Sequence, residues 1–373
     1  MIRYIIFLSC VQFFLVSFSI GQSDSALAFD RAYKDFLYAL EENPTSERLG
    51  ETALKALSLG ELYLEEDSED LAVLTFNVVR VTAGHNWSTE VLGGKYLGLS
   101  RLALSRYQKV YGIKSEKLIE PYANLIIAIS KEARKSDRFK EISDKKGRAE
   151  IRGLIKEVEI NVLRQPINPI KKAGFYKRLA VSNLRDRQQY AKKALAIYQR
   201  ELGEAARETV NSKLTWLSTL PMKKRISGYK EILPKLESFP ESRRQLYLVN
   251  QVLSAFYLQM NKRDQAEYHL EQAGKHGEGL FDQVSYFPIF KSTPAYPRNA
   301  QLRGITGYVV LEFTVTERGT VENLSVIEAS PRGVFEKAAL DSASGFRYIP
   351  MYVNGVPTKV DGVRNRIDFD LSN

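Results

Sequence analysis

Pro331 to Pro357 read PRGVFEKAALDSASGFRYIPMYVNGVP. Phe335, Ala338, Ala339 and Ser342 recur at intervals of three and four, so they share one side of a helix. The two alanines let that side approach a flat partner closely. Phe346 to Met351 is short and extended, because Ile349 precedes a proline and is pushed out of the helical region. Asn354-Gly355 is a strong signal for a tight hairpin turn. A short helix of this kind needs a sheet, and the flanks supply one. Upstream, Val309, Leu311, Phe313 and Val315 alternate with Tyr308, Val310, Glu312 and Thr314. Glu317 to Gly319 turns the chain and Val321 to Ala329 returns it, which predicts a hairpin. Downstream, Val363, Asn365, Ile367, Phe369 and Leu371 alternate with Arg364, Arg366, Asp368 and Asp370. This predicts a last strand with one buried and one wet face. Together these elements predict a small α+β domain over residues 294–373, an antiparallel sheet with one packed helix.

The chain before it has a different character. Gly and Pro punctuate residues 278–293, which read as a linker. From Ala26 to about Gly277 apolar residues recur at helical spacing and nothing alternates like a strand. Leu59-Gly60-x-x-Tyr63 followed by Ala72-x-x-x-Phe76 is echoed by Leu253-Ser254-x-x-Tyr257 followed by Ala266-x-x-x-Leu270. In both, twelve positions (72−60 and 266−254) separate the small residue from the alanine of the next helix. Weaker echoes lie at Ala103 to Gly112 and Ala194 to Gly203. The pattern resembles the tetratricopeptide repeat (TPR), in which small residues let stacked helix pairs touch. The resemblance implies an all-α, TPR-like solenoid over residues 24–277 with a concave surface for a protein or peptide. An irregular helical domain is the alternative. The fold class is therefore multidomain, an all-α solenoid followed by a small α+β domain.

The N-terminus carries Arg3, an apolar run from Tyr4 to Ile20, and small residues at Ser19 and Gly21. That is the pattern of a secretory signal over residues 1–21. An uncleaved anchor is the rival reading. The run sits at the lower limit for spanning a bilayer, and Ser9, Gln12, Ser17 and Ser19 dilute it. Either way the remainder is expected outside the cytoplasm. The chain has one cysteine, Cys10 in the leader, so stability is expected from cores and helix stacking rather than disulfides. Net charge is +10, but the basic run from Lys131 to Arg178 is interleaved with Glu132, Asp137, Glu141 and Asp144. It reads as a solvated helical face, without the interleaved aromatics that nucleic-acid binding would add.

Taken together, the C-terminal motifs are similar to the C-terminal domain of the TonB family. The matching features are Tyr296-Pro297 before a small helix, Gly304 and Gly307 opening the first strand, and the Gly319-Thr320-Val321 turn. After these come the FEKAAL helix, the strand with Phe346, Arg347, Tyr348 and Pro350, and Asn354-Gly355. The resemblance implies a periplasmic protein whose last domain grips the TonB box, a short peptide segment of outer-membrane transporters. It implies a grip by strand addition, in which an extended peptide joins a sheet edge through main-chain hydrogen bonds. The edge is expected at Val363, Arg364, Asn365, Arg366, Ile367, Asp368 and Phe369, with Tyr296 and Pro297 nearby. Arg364 and Arg366 are expected to favour an acidic peptide and to discourage uncontrolled edge pairing. Tyr296, Phe346 and Tyr348 have an alternative reading as core aromatics, and for Phe346 and Tyr348 it is the preferred one.

The family's transducers couple to proton-channel partners in the inner membrane through a histidine in an anchoring helix. Here the histidines are His85, His269 and His276, none in the leader, and a helical region stands where a proline-rich spacer is expected. Two functions remain open. One is a TonB-like transducer or adaptor supporting transport across the outer membrane. The other is a soluble periplasmic scaffold that binds protein or cell-wall partners without energy coupling. No enzyme is expected, and no cofactor or metal site is assigned. The chain has no phosphate loop, no G-x-S-x-G and no cysteine nucleophile, and its histidines are scattered.

Overall fold

The structure, a computed structural model, describes residues 24–43, 46–82, 96–132, 140–182, 184–280 and 287–371. The expected leader, 1–21, and His85 lie outside the described residues. No helix among the described residues is long and apolar enough to cross a membrane. The chain divides into two compact units, the first ending at Glu204 and the second starting at Ala205.

The first unit is helical: α1 (Asp24–Glu42), α2 (Glu47–Tyr63), α3 (Glu69–Thr82), α4 (Tyr96–Tyr111), α5 (Ile119–Glu132), α6 (Lys140–Asn161), α7 (Pro169–Val181) and α8 (Arg187–Leu202). Local chemistry sets several of the ends. Ser46 caps α2 by accepting from Leu49 N–H, and Asn168 caps α7 by accepting from Ile170 N–H, with Pro169 opening that helix. Gly203 follows α8 with φ +82, a conformation that costs a glycine little. Neighbouring helices pack in sequence, α1 on α2, α3 on α4, α7 on α8. The small residue of the first repeat-like motif does sit at a helix contact. A Cβ on Gly60 would lie 2.6 Å from Leu74 Cδ2 of α3.

The second unit holds α9 (Arg207–Ser218), α10 (Met222–Glu237), α11 (Arg243–Gln259) and α12 (Arg263–Gly277), followed by the sheet domain. The α11–α12 hairpin buries Ser254 and Ala266, the small residues of the second repeat-like motif. His269 of α12 is half-buried, its Nδ1 2.7 Å from Asn250 Oδ1 and its ring stacked on Tyr257. Burial pushes its pKa down to about 4.

In the sheet domain β1 (Pro288–Phe290) and α13 (Arg298–Leu302) precede the hairpin β2 (Gly307–Val315) and β3 (Val321–Ser330). Then come α14 (Glu336–Ala343), β4 (Arg347–Tyr348), β5 (Met351–Val353), β6 (Val356–Thr358) and β7 (Val360–Phe369). The main sheet is antiparallel in the order β3-β2-β7, and β1-β4 and β5-β6 form two small pairs. Val309, Leu311, Phe313 and Val315 of β2 and Val363, Ile367 and Phe369 of β7 are buried against Phe335, Ala339 and Ala343 of the α14 layer. The turn between β5 and β6 has Asn354 at φ 52 and Gly355 at φ 76, the doubly left-handed turn that fits strand twist.

Two details differ from the sequence reading. Residues 288–290, inside the expected linker, form β1 and pair with Arg347 and Tyr348. The apolar Ile289 earns that placement by packing against Tyr247, Leu270, Ala273 and Ile349, which Gly/Pro punctuation does not reveal. The last strand stops at Phe369, and Leu371 lies exposed beyond it, since no facing residue of β2 remains to pair with it.

Candidate functional site

β7 has β2 on one side and, among the described residues, no strand on the other, so it forms one edge of the main sheet. From Gly307↔Phe369 to Phe313↔Val363 its register on β2 is unbroken. The irregularity comes later, between Phe313 and Val315, where Gly362 adopts φ +68. Val363 to Phe369 is therefore a regular run of strand. The opposite edge, β3, is different. Its pairing shifts twice, between Val310 and Leu311 and between Glu312 and Thr314, and Asn323 sits at φ 55. Bulges of this kind twist an edge and spoil it as a template for another strand.

The side chains of β7 split by parity. Val363, Ile367 and Phe369 point into the core. They offer a partner only their backbone. Asn365 shares that face but is half-buried, and its Oδ1 accepts a 2.5 Å hydrogen bond from Lys291 Nζ, which also lies 5.8 Å from the Phe346 ring centre. Although Lys291 as a whole is exposed, partial desolvation of its ammonium lowers its pKa from the usual lysine range. Arg364, Arg366 and Asp368 occupy the wet face. Their charges are already engaged: Arg364 Nε meets Glu312 at 2.8 Å, and Arg366 Nε meets Asp368 at 2.8 Å while stacking on Tyr308 at 3.7 Å. The two arginines thus bind the sheet's own surface, and an acidic peptide would compete with Glu312 and Asp368 for them.

Tyr296 and Pro297 lie at the Phe369 end of this strand. Tyr296 donates from its hydroxyl to Ile305 O at 2.7 Å, and its ring makes edge contacts with Phe335 at 5.6 Å and Phe369 at 5.8 Å. Pro297 caps α13. Both residues border a groove of about 570 Å³ whose far wall is Val334, Lys337, Ala338 and Asp341. Phe346 and Tyr348 are core residues, packed on Phe313. The structure therefore brings the nine expected residues to one edge of one sheet. Sequence reasoning missed Lys291 and Tyr308. The parity of β2 places Tyr308 on the face opposite Val309 and Leu311, but its pairing with Arg366 needs the register, and nothing local marks Lys291. Among the described residues no group of three or more His, Cys, Asp or Glu side chains is placed to hold a metal.

Residues 292–371 match the family described as Gram-negative bacterial TonB protein C-terminal. This segment, about a fifth of the chain, is similar to TonB C-terminal domains. Relatives agree over the same part of the chain. Protein TonB of Pseudomonas aeruginosa is 34% identical over 77 residues, which is 21% of this chain and 22% of that protein. Protein TonB of Yersinia enterocolitica is 32% identical over 78 residues, 20% of this chain and 31% of that protein. Protein TonB of Escherichia coli is 35% identical over 62 residues, 17% of this chain and 26% of that protein. The likeness thus covers a fifth to a third of the relatives' own length and stops where the helices begin. The two sheet edges, the α14 platform and the Tyr296-Pro297 segment all fall inside the matched residues.

Proposed function

We propose that this chain is a TonB-like adaptor or energy transducer of the periplasm whose TonB C-terminal domain captures the TonB box of an outer-membrane transporter at the β7 edge. One observation carries the reading: Val363 to Phe369 is a regular unpaired edge, while the other edge of the same sheet is broken by bulges. An extended peptide added there satisfies main-chain donors and acceptors of β7 and gains order without any rearrangement of the core. Specificity would come from the wet face, by exchange of the Arg364–Glu312 and Arg366–Asp368 pairs for an acidic residue of the peptide. Delivery of force requires in addition a tie to proton-channel partners of the inner membrane, which is the role of a retained leader in this reading.

The second reading is a periplasmic scaffold in which a TPR-like helical surface binds the principal protein or cell-wall partner. It is favoured by the twelve helices described before β1, all of them outside the segment that matches the family. One titration separates the two. The full chain, labelled at Val, Ile and Phe amides, is mixed with TonB-box peptides from the host's transporters. Capture shifts Val363, Ile367 and Phe369 and leaves Val321, Val326 and Ile327 of β3 in place. No shift with any peptide sinks the capture reading and leaves the scaffold.

A further inference from the structure

We infer that the last helical hairpin, α11–α12, and the TonB C-terminal domain are one rigid body, clamped through side chains at a joint centred on Gly274. The joint lies wholly within the second compact unit. Gly274 sits on α12 and is buried, and a Cβ there would lie 2.6 Å from the Pro350 carbonyl oxygen and 2.7 Å from the Tyr352 ring. Only a residue without a side chain lets the β4–β5 backbone come so close to the helix. Around this point Ile349 is buried among Tyr247 of α11 and Leu270 and Ala273 of α12. At the rim, Gly355 N–H donates to Glu278 Oε1 at 3.0 Å, and Ile349 N–H donates to Phe287 O at 2.9 Å.

The joint continues into the sheet in one residue step. Tyr348, next to Ile349, donates its N–H to Gly319 O at 2.8 Å and sets its ring 5.9 Å from Phe313 of the central strand. Gly319 matches Gly274 in this respect: a Cβ there would lie 2.0 Å from Tyr348 O. Two close glycine contacts therefore link α12, through residues 348–352, to β2. Load or orientation passes across this packed path and does not depend on the covalent connection between α12 and β1. The inference is independent of whether β7 captures a peptide.

The test severs that covalent connection. A protease site is placed within residues 281–286 of the full chain, and the folded protein is cut. The pieces are expected to elute together by size exclusion at micromolar concentration and to melt in one transition. With Gly274→Leu added, cutting is expected to release the sheet domain, while circular dichroism of the uncut variant retains the parent's helix signal. Gly153→Leu, at a position where a Cβ meets nothing within 4 Å, is expected to stay joined. Should Gly274→Leu fail to fold, Ile349→Ala with Tyr352→Ala takes its place with the same expected release. Separation of the parent pieces on cutting overturns the inference, and so does a joint variant whose pieces hold together as firmly as the parent's.

Discussion

The two edges of the main sheet are strands of equal length, ten residues each, built from similar alternating sequence, yet they present unlike surfaces. β3 carries two register shifts and a left-handed Asn323, and β7 carries none between Val363 and Phe369. The two edges therefore differ in backbone regularity and not in the pairing of their charges. Both edges have their ionic residues tied back to β2 or to neighbours: Lys359 to Glu322 beside β3, Arg364 to Glu312 beside β7. Both edges lack a further paired strand among the described residues, and only their regularity differs.

The comparison can be broken or sharpened in five ways, the largest effect first. Phe335 is fully buried and stacks on Phe369 with ring centres 4.4 Å apart. Phe335→Ala is expected to lower stability by about 3–5 kcal/mol in denaturant unfolding. It should also loosen the Phe369 end of β7 in hydrogen exchange more than the middle of β3. Gly319, at φ +74 in the β2–β3 turn and pressed against Tyr348 O, is the next most sensitive position. Gly319→Ala should cost about 1–3 kcal/mol, read as a lower melting temperature. Third, a capture peptide N-methylated at alternate residues loses half its donors while the protein is untouched. If the β7 edge binds by main-chain pairing, its affinity should drop about tenfold or more, roughly 1.4 kcal/mol. Equal affinity of the methylated and plain peptides would remove the edge from the reading.

The fourth test concerns charge. Arg364→Ala with Arg366→Ala should weaken an acidic peptide by about two- to fivefold at low salt and less at high salt, because exposed pairs are screened. The smallest effect is that of Lys291. Its folded pKa lies below the ordinary lysine value of 10.5, so between the two the unfolded chain binds more protons. Its desolvation penalty is thus present below the folded pKa and fades as pH rises through that window. Lys291→Met should stabilise the domain slightly near neutral pH, and the gap from the parent should narrow towards pH 10.5. A gap that widens with rising pH would contradict the partial desolvation of the Lys291 ammonium beside Asn365.

How much of this was legible in the sequence depends on the range of the interaction. The alternation of Val309, Leu311, Phe313 and Val315 reports a two-sided strand directly, because one face is fully buried and the other mostly half-buried. Asn354-Gly355 reports its own turn, and Phe335 with Ala339 reports the helix face. The edge strand itself was readable for the same reason. The bulges were not, because they arise from how two strands meet and leave little local trace beyond the left-handed Asn323. Nor was the Lys291–Asn365 bond, whose partners are 74 residues apart. In the helices, Gly60 was recognisable as a contact residue because a repeat-like motif surrounds it. Gly274 has no such motif, and its partner at Pro350 belongs to another element entirely. The wet face misled in one respect, since arginines that look free in sequence are paired with Glu312 and Asp368 once the register is fixed.

The unbroken register of β7 on β2, from Phe369 back to Val363, also has a mechanical meaning. A load applied along such a ladder shears all of its rungs at once, whereas one applied across it unzips them one at a time. A strand held on this edge would therefore have two lifetimes at one affinity, long when drawn parallel to β7 and short when peeled away from it. Its release would be governed by direction of pull before strength of binding.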